Sequence, residues 1–596
     1  MVLSPDSAGS NTNNHSVDYL CLTERYVWKI KEIYAENPSF FNEYFNKKKQ
    51  FLLNGKTEQD VKSLLNLLPD PWLLKDLRRA CERIIKAIKN NEKITIFGDY
   101  DVDGTTSCAM LSQFFLELNY PVDIYIPDRL LEGYGLNSIG LKKLAAQNTQ
   151  LIITVDNGIS ALQACAESKK LGVDIIITDH HDIPPILPEA FAILNPKQLD
   201  CLFPEKMLAG VGVAFYLMIG LRILLRENHL KCDVNLKNYL DFVAIGTIAD
   251  MAPLVGANYI LCKIGLDVLL QNINAGCRLG LQELLLCSGW KIGQKVTASD
   301  IGFKIGPRLN AAGRLGNALR SVEVLTTTHF TAAKEMAMLL HHENTERQLL
   351  EKQFTEEALQ LVQSIQNMPE ALVLHQEHWH PGVVGLVATR VLDKFYRPVL
   401  VFGTVDGKLK GSGRSTHAFN LFAALNEVRN EFVSFGGHFH AVGLTILPEK
   451  LAWLTQYLHE KAQSFIHQQD KKPQLKIDGQ LSLESLDLAL VEKLEELEPY
   501  GVENPRTRWL LGPVQVRHVK RIGKDISQNH AKVLFYDAGK EAWLTAFGLA
   551  AVFEQFLETG IGVQLVVEAK LAFWNSRMTT DIRVIDYAPV VLIPSC

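Results

Sequence analysis

The chain has 596 residues, 47% of them hydrophobic and 21% charged, which excludes a disordered polypeptide and predicts about three to four domains with apolar cores. A formal charge of −5 excludes a globally basic coat for nucleic acid, although an acidic metal site in one place can mask a basic channel in another. Ten cysteines, at 21, 81, 108, 165, 201, 232, 262, 277, 287 and 596, form no C-x-x-C pair, which argues against a structural zinc and for a reducing cytoplasm.

Residues 1–75 are expected to form an N-terminal helical segment behind a frayed start, MVLSPDSAGSNTNNHSVD, which has neither the basic nor the apolar region of an export signal. From about residue 90, KITIF, TTSCAMLSQFFLEL, VDIYIP, LIITV and DIIIT alternate β-branched with helical runs. That order predicts βαβ units and a doubly wound parallel sheet, in an α/β catalytic domain over 76–320. The apolar run MLAGVGVAFYLMIGL (207–221) is shorter than the roughly 18 to 20 residues that cross a bilayer, so a buried helix is expected. A helical connector over 321–367 contains no Gly or Pro to break it. A second, smaller α/β domain over 368–465 runs from ALVLH through RPVLVFG to GGHFHAVGLTIL. Over 466–596, the runs QLKIDGQL, VQVRHVKRIG, AKVLFYD, AWLTAFG, VQLVVEAKLAFW and TDIRVIDYAP with one helix, LALVEKLEELE, predict a β-barrel of the oligonucleotide-binding (OB) type.

The chemistry concentrates at strand ends. KITIF runs into GDYDVDG, bringing Asp99, Asp101 and Asp103 within five residues; LIITV ends in Asp156, DIIIT in Asp179, His180 and His181, and DFVAIGTIA, read as a fourth strand, in Asp250. Carboxyl ends of parallel strands open on one crevice, so these acids should meet there. Clustered carboxylates repel unless cations neutralise them, and oxygen ligands with a single imidazole suit Mg²⁺ or Mn²⁺ better than Zn²⁺. With Asp156 able to bridge, the set is large enough for two ions about 3.5 to 4 Å apart, the arrangement used for in-line phosphoryl displacement. A lone strand-end aspartate more often caps the next helix, but capping does not generate D-x-D-x-D and D-H-H together.

Donors for phosphate are expected at Arg308, Asn310 and Arg314 on a glycine-punctuated loop, GPRLNAAGR. In the second domain GSGRS and GGH offer Arg414, Ser415, Gly436, Gly437 and His438, and the residues alone leave ordinary turns and a phosphate site equally open. No carboxylate pattern accompanies His375, His378 and His380 in HQEHWH, and they are read as structural or strand-contacting. RTRW (506–509), VRHVKRIGK (516–524) and FWNSR (573–577) interleave cations with rings, as a single-strand groove does. The chain has no GxxxxGK[ST] loop and no GxSxG elbow.

GDYDVDG, VDNG, TDHHD and GTIADMAPL, in this order, resemble the signature of the DHH phosphoesterases, and GGHFHAVG with GSGRS resembles their companion domain. LEGYGLN, LAGVGVAF, GPRLNAAGRLG and HWHPGVVGLVATR extend the likeness to the RecJ-type single-strand-specific exonucleases over about residues 80–590. The resemblance implies that Asp101 and Asp156 hold one Mg²⁺ or Mn²⁺, that Asp103, Asp156, His180 and Asp250 hold the other, and that His181 faces the scissile phosphate. It also implies that Arg414, Ser415 and His438 hold the substrate's end, and 5′ to 3′ digestion of single-stranded DNA in repair and recombination. The implied enzyme is a cytoplasmic monomer that engages no membrane and works beside a single-stranded-DNA-binding protein and a helicase. Many DHH phosphoesterases carry a His four residues before the first ligand Asp; this chain has Phe97 there, and Asp99 or water would take its place. The rival readings are a DHH phosphoesterase of smaller substrates, which the barrel argues against, and a non-catalytic scaffold, which the acidic cluster argues against.

Overall fold

The structure, a computed structural model, describes residues 19–23, 25–30, 38–56, 61–128, 132–315, 317–466, 471–523, 528–574 and 577–590. The chain divides into two compact units, one of Lys49–Leu350 with Pro499–Pro505, the other of Met1–Lys48, Glu351–Glu498 and Arg506–Cys596.

The first unit is built on a five-stranded parallel sheet in the order Asp123–Tyr125, Ile94–Gly98, Leu151–Val155, Asp174–Thr178, Ala192–Leu194. The central strands are buried on both faces, which is why they read as unbroken Ile/Leu/Val runs. Alternate residues feed two cores. Ile94, Ile96, Leu151, Ile153, Val155 and Ile176 pack under the helices Leu77–Lys89, Val102–Glu117 and Gly210–Glu227. Phe97, Ile152, Ile175 and Ile177 pack under Ser138–Ala146 and Leu162–Leu171. The apolar stretch at 207–221 lies largely in the Gly210–Glu227 helix, whose buried residues belong to the first core, and no described helix is long and apolar enough to cross a membrane.

Three expectations need correction in this unit. DFVAIGTIA is not a strand: Leu240–Ala249 is a helix, buried on nearly all sides, and an all-round apolar run has no period with which to tell the two apart. GPRLNAAGR is not a loop: Gly306–Leu315 is a helix that follows a π-helical turn at Ile301–Ile305, and Gly313 is needed because a Cβ there would lie 2.5 Å from the Tyr100 carbonyl oxygen. The connector begins as two helices, Leu319–Thr326 and Phe330–Gln363, since Thr327 leaves the helix with extended backbone in a run of three β-branched threonines.

In the second unit, a mixed five-stranded sheet runs Ser434–His438, Ala441–Ile446, Lys408–Arg414, Val399–Val405, Leu372–His375, parallel only in the last pair. The barrel strands Arg508–Ile522, His530–Asp537, Lys540–Ala546, Arg577–Pro589 and Val563–Trp574 follow one another round, and the last pairs back on the first to close the ring. Besides Leu488–Glu495, a second helix at Ala550–Thr559, unforeseen in the sequence, packs Phe553 against the barrel residue Phe535 at 5.3 Å between ring centroids. The N-terminal segment was expected to be helical, yet Tyr19–Leu22 and Val27–Ile30 form a hairpin whose second strand pairs in parallel with Gln474–Ile477; among the described residues the first helix is Pro38–Leu52. Trp28, Ile30, Leu475 and Ile477 are buried with Leu510 and Val566 of the barrel, a long-range partner no local pattern announces. The expected frayed start at residues 1–18 lies outside the described residues.

Candidate metal centre

Each acid is delivered by the end of a regular element. In the sheet register Gly98, Val155 and Thr178 stand side by side, so Asp99, Asp156 and Asp179 leave adjacent strands at one level. Asp101 caps the Val102–Glu117 helix, its Oδ1 accepting the Gly104 N–H at 3.0 Å. A Cβ on Gly104 would stand 2.6 Å from the Asp99 carbonyl oxygen, so the turn that gathers Asp99, Asp101 and Asp103 requires glycine. Asp103 is fully buried at the start of the Gly210–Glu227 helix: its Oδ2 accepts Gly210 N–H at 2.8 Å and its Oδ1 accepts Val211 N–H at 2.7 Å. Oriented N–H groups and the positive end of the helix dipole hold that charge. Gly210 permits the approach, because a Cβ there would fall 2.8 Å from Asp156 Oδ1 and 3.0 Å from Asp103 Oδ2. Asp250 follows the Leu240–Ala249 helix as its C-cap.

These side chains converge. His180 Nε2 lies 3.1 Å from Asp156 Oδ1, 3.8 Å from Asp250 Oδ2 and 3.9 Å from Asp103 Oδ2. Ligand atoms of Asp103, His180 and Asp250 fall within 4.8 Å of one another, as do those of Asp99, Asp101 and Asp156, and those of Asp156, His180 and His181. Asp156 thus belongs to groups on both sides of the crevice. Phe97 is buried against Tyr125, 5.1 Å between ring centroids, and offers no ligand, whereas Asp99 lies in one group with Asp101 and Asp156.

Burial and mutual repulsion show in the protonation. Burial, then the charges of Asp101, Asp103, Asp250 and Asp99, push Asp156 well above the usual carboxylate range. Burial and Asp101 push Asp103 up to about 7, and burial with Asp103 and Asp101 pushes Asp250 up to about 9. Asp156 Oδ1 is buried and accepts no hydrogen bond among the described residues, although His180 Nε2 is 3.1 Å away. A buried, unsatisfied oxygen among like charges fits a hard divalent cation, and the oxygen-rich donor set fits Mg²⁺ or Mn²⁺.

Asp179 plays another part. Its Oδ1 accepts from His181 Nδ1 at 2.7 Å and from the main-chain N–H groups of His180 and His181, while its Oδ2 accepts from Ile159 N–H. Burial works to raise its pKa, but the His181 charge and these hydrogen bonds outweigh it and hold the carboxyl at about 2. Burial likewise works to lower His181, and the Asp179 charge and hydrogen bond outweigh it to push the imidazole up to about 9. The D-H-H signature therefore contains an acid that aims an imidazole, a role its spacing alone does not separate from ligation.

The substrate candidates separate by orientation. Arg308 is buried: its guanidinium reaches His341 Nδ1 at 3.0 and 3.2 Å and donates to the Lys304 carbonyl at 2.7 Å, so it ties helices together rather than facing the crevice as expected. Asn310 and Arg314, partly exposed and four residues apart, share the other face of that helix. In the mixed sheet, Arg414 and His438 stand on either side of Ala441 in one cross-strand row, and Ser412, Gly443 and Gly436 form the next row on that face. Cβ atoms on Gly436 and Gly443 would meet nothing within 4 Å, which leaves an open shelf; Gly437, at φ +146°, closes the turn, as its Cβ would fall 2.3 Å from the Ala441 carbonyl oxygen. Ser415 is buried and donates to the Phe419 carbonyl at 2.7 Å, so Ser412, not Ser415, shares Arg414's face, as strand alternation could have shown. The three histidines of HQEHWH have separate partners: His375 meets Thr404, His378 pairs with Glu357 at 2.8 Å, and His380 accepts from Gly382 N–H.

RTRW is also corrected. Arg506 pairs with Glu495 and Glu498, Arg508 with Glu568, and Trp509 is wholly buried, because strand alternation turns its ring inward. Trp543 and Phe547 are exposed beside the cross-strand rows His518–Leu534–Trp543 and Lys520–Lys532–Thr545, with the Arg583 guanidinium 5.3 Å from the Phe547 ring centre. Lys524 and the FWNSR side chains lie outside the described residues.

The protonation has a consequence for stability. Between pH 3.8 and the raised values near 7 and 9, folded Asp103 and Asp250 keep protons that unfolded carboxyls have lost, so without metal the fold weakens as pH rises. His181 acts in the same direction, its contribution being complete below 6.5 and lost as pH rises through about 9. In chelator the unfolding midpoint should therefore be lower at pH 8.5 than at pH 6, and Mg²⁺ should raise it more at pH 8.5. Equal shifts at the two pH values in a thermal melt would contradict the repulsion account.

Residues 93–247 match the DHH family, N-terminal domain; residues 366–464 match the DHHA1 domain and residues 477–586 the RecJ OB domain. The single-stranded-DNA-specific exonuclease RecJ of Haemophilus influenzae is 36% identical over 492 residues, 80% of this chain and 83% of its own. The Escherichia coli protein of that name is 35% identical over 501 residues, covering 81% and 84%. That of Bacillus subtilis is 36% identical over 521 residues, 87% of this chain but only 64% of the relative, so the chain spans less than two thirds of its length. The crystal structure of RecJ in complex with Mn²⁺ from Thermus thermophilus superposes with a TM-score of 0.75 at 26% identity, covering 95% of this chain and 80% of that one. The Mg²⁺ complex from the same organism gives 0.69 at 25% identity. With 36% identity spread over 80% of the chain and 83% of the Haemophilus relative, the chain belongs to the RecJ family of single-stranded-DNA-specific exonucleases.

Proposed function

We propose that this chain is a 5′ to 3′ exonuclease of single-stranded DNA that hydrolyses phosphodiesters with two divalent cations, in DNA repair and recombination. The observation that carries the reading is the convergence of Asp99, Asp101, Asp103, His180 and Asp250 around the buried, unsatisfied Oδ1 of Asp156. In this reading Asp99, Asp101 and Asp156 hold one Mg²⁺ or Mn²⁺, and Asp103, Asp156, His180 and Asp250 the other. Such a pair, when bound, makes water nucleophilic near neutral pH and stabilises charge developing on the phosphoryl oxygens. His181, kept cationic and oriented by Asp179, supplies positive charge beside the phosphate. Asn310 and Arg314 contact the strand near the crevice, and Arg414, Ser412 and His438, with the Gly436 and Gly437 backbone, hold its phosphorylated end. Arg308 and Ser415, both committed to internal hydrogen bonds, support these groups from behind.

The barrel extends the grip. Trp543 and Phe547 offer faces for stacking bases, and Lys520 and Lys532 offer charge for the backbone. The described cysteines are free thiols, most of them buried, which supports a reducing, cytoplasmic setting. The same reading has the enzyme act as a monomer, recruited beside a single-stranded-DNA-binding protein and a helicase.

Oligonucleotides labelled at one end or the other test substrate and direction together. With Mg²⁺ or Mn²⁺, single strands should shorten from the 5′ end while duplex persists, and Asp156→Ala should lower the rate by at least about a hundredfold with the fold retained. Shortening from the 3′ end, equal digestion of duplex, or activity in excess chelator would reject the reading. For the barrel, Trp543→Ala should weaken binding of a long strand by about 1–3 kcal/mol and leave cleavage of a short one unchanged. Unaltered long-strand affinity would leave the barrel without a stacking role.

A further inference from the structure

LEGYGLN places a tyrosine between two glycines, and none of the groups assigned above uses it. Gly133 and Gly135 both have positive φ, +88° and +65°, and the loop is fastened from below by Asn157. That fully buried amide accepts the Leu136 N–H at 3.1 Å and donates to the Phe97 and Val155 carbonyls at 3.1 and 2.9 Å. Asn137 then caps the Ser138–Ala146 helix. Before the tyrosine, the Glu132 and Gly133 N–H groups donate to the Asp128 carbonyl at 2.8 and 3.2 Å, so the loop is tied on both sides of Tyr134.

Its hydroxyl meets two groups at once. It donates to the main-chain carbonyl of Asp156 at 3.2 Å and stands 3.3 Å from His181 Nε2, the ring nitrogen opposite the one held by Asp179. A phenol carries one proton and two lone pairs, so it can donate to the carbonyl while accepting from a ring N–H. Asp156 needs such a tie, for it is a non-glycine residue at φ +60°, a conformation that persists only where its surroundings over-determine it. Its main-chain N–H is fixed on the Thr178 carbonyl at 3.0 Å, and the Tyr134 hydroxyl fixes the other side of the residue. The ring edge meets Tyr100 at 6.1 Å and His181 at 5.9 Å between centroids, both T-shaped.

We propose that Tyr134 is a positioning residue that sets the Asp156 carboxylate and the His181 ring in register with each other. Asp179 and Tyr134 hold the two nitrogens of one imidazole, which leaves the ring little freedom to turn. Through the Asp156 carbonyl the same hydroxyl settles where the shared carboxylate lies. The inference rests on the metal-dependent nuclease reading for its effect on rate, but not for its effect on cation binding.

Tyr134→Phe removes the hydroxyl and keeps the ring contacts. On the full chain, calorimetry with Mn²⁺ alone should show affinity weakened by about tenfold or more, with the unfolding midpoint in chelator unchanged. Where the wild type cleaves a short single strand, kcat should fall about 10- to 100-fold with KM within about twofold. Tyr134→Met, which occupies similar volume without a hydroxyl, repeats the test should the Phe variant not fold. Mn²⁺ affinity within twofold of wild type would overturn the proposal, as would a rise in KM alone, which would make Tyr134 a substrate contact. Failure of the wild type to cut any strand would reject the nuclease reading, and the calorimetry would still decide the role of Tyr134.

Discussion

Charge repulsion at the mouth of the parallel sheet is the constraint on which the catalytic unit depends. Asp99, Asp101, Asp103, Asp156 and Asp250 stand close enough for burial and each other's charge to push the pKa values of Asp103, Asp156 and Asp250 upward. The fold tolerates this because it commits backbone dipoles to the site. Asp103 lies against the first N–H groups of a helix, Asp101 caps another, and Gly104 and Gly210 let main chain come where a Cβ would collide. Dipoles relieve part of the strain, and cations supply the rest.

The same logic sorts the cationic side chains. Arg308, Arg506, Arg508 and Arg521 are arginines that composition would assign to nucleic acid, yet each is satisfied within the fold, by His341 or by glutamates. The groups proposed to meet a strand lie on open faces: Arg414 and His438 in one cross-strand row beside glycine gaps, and Trp543 beside a row of lysines on the barrel. A guanidinium with a buried or largely buried partner, as Arg308 and Arg506 have, would have to abandon it to reach a phosphate.

Much of the site was legible in the sequence, because strand-end acids in a βαβ pattern have only one place to converge. Asp101, Asp103, Asp156, His180 and Asp250 meet as the motifs implied. What was not legible depends on direction or on distant partners. Asp250 comes from a helix, since an all-apolar segment carries no period. Ser412, not Ser415, shares the face of Arg414, because a motif fixes spacing while a strand fixes faces. The N-terminal hairpin finds its partner more than four hundred residues away, at Gln474–Ile477, and no local propensity encodes that pairing.

Anomalous diffraction from crystals equilibrated with Mn²⁺ would address the central claim most directly, since it locates the ions without reference to activity. The account predicts two peaks in the crevice, with the Asp156 carboxylate between them, Asp99 and Asp101 on one side, and Asp103, His180 and Asp250 on the other. Peaks elsewhere, or a single ion that leaves Asp156 uncoordinated, would contradict it.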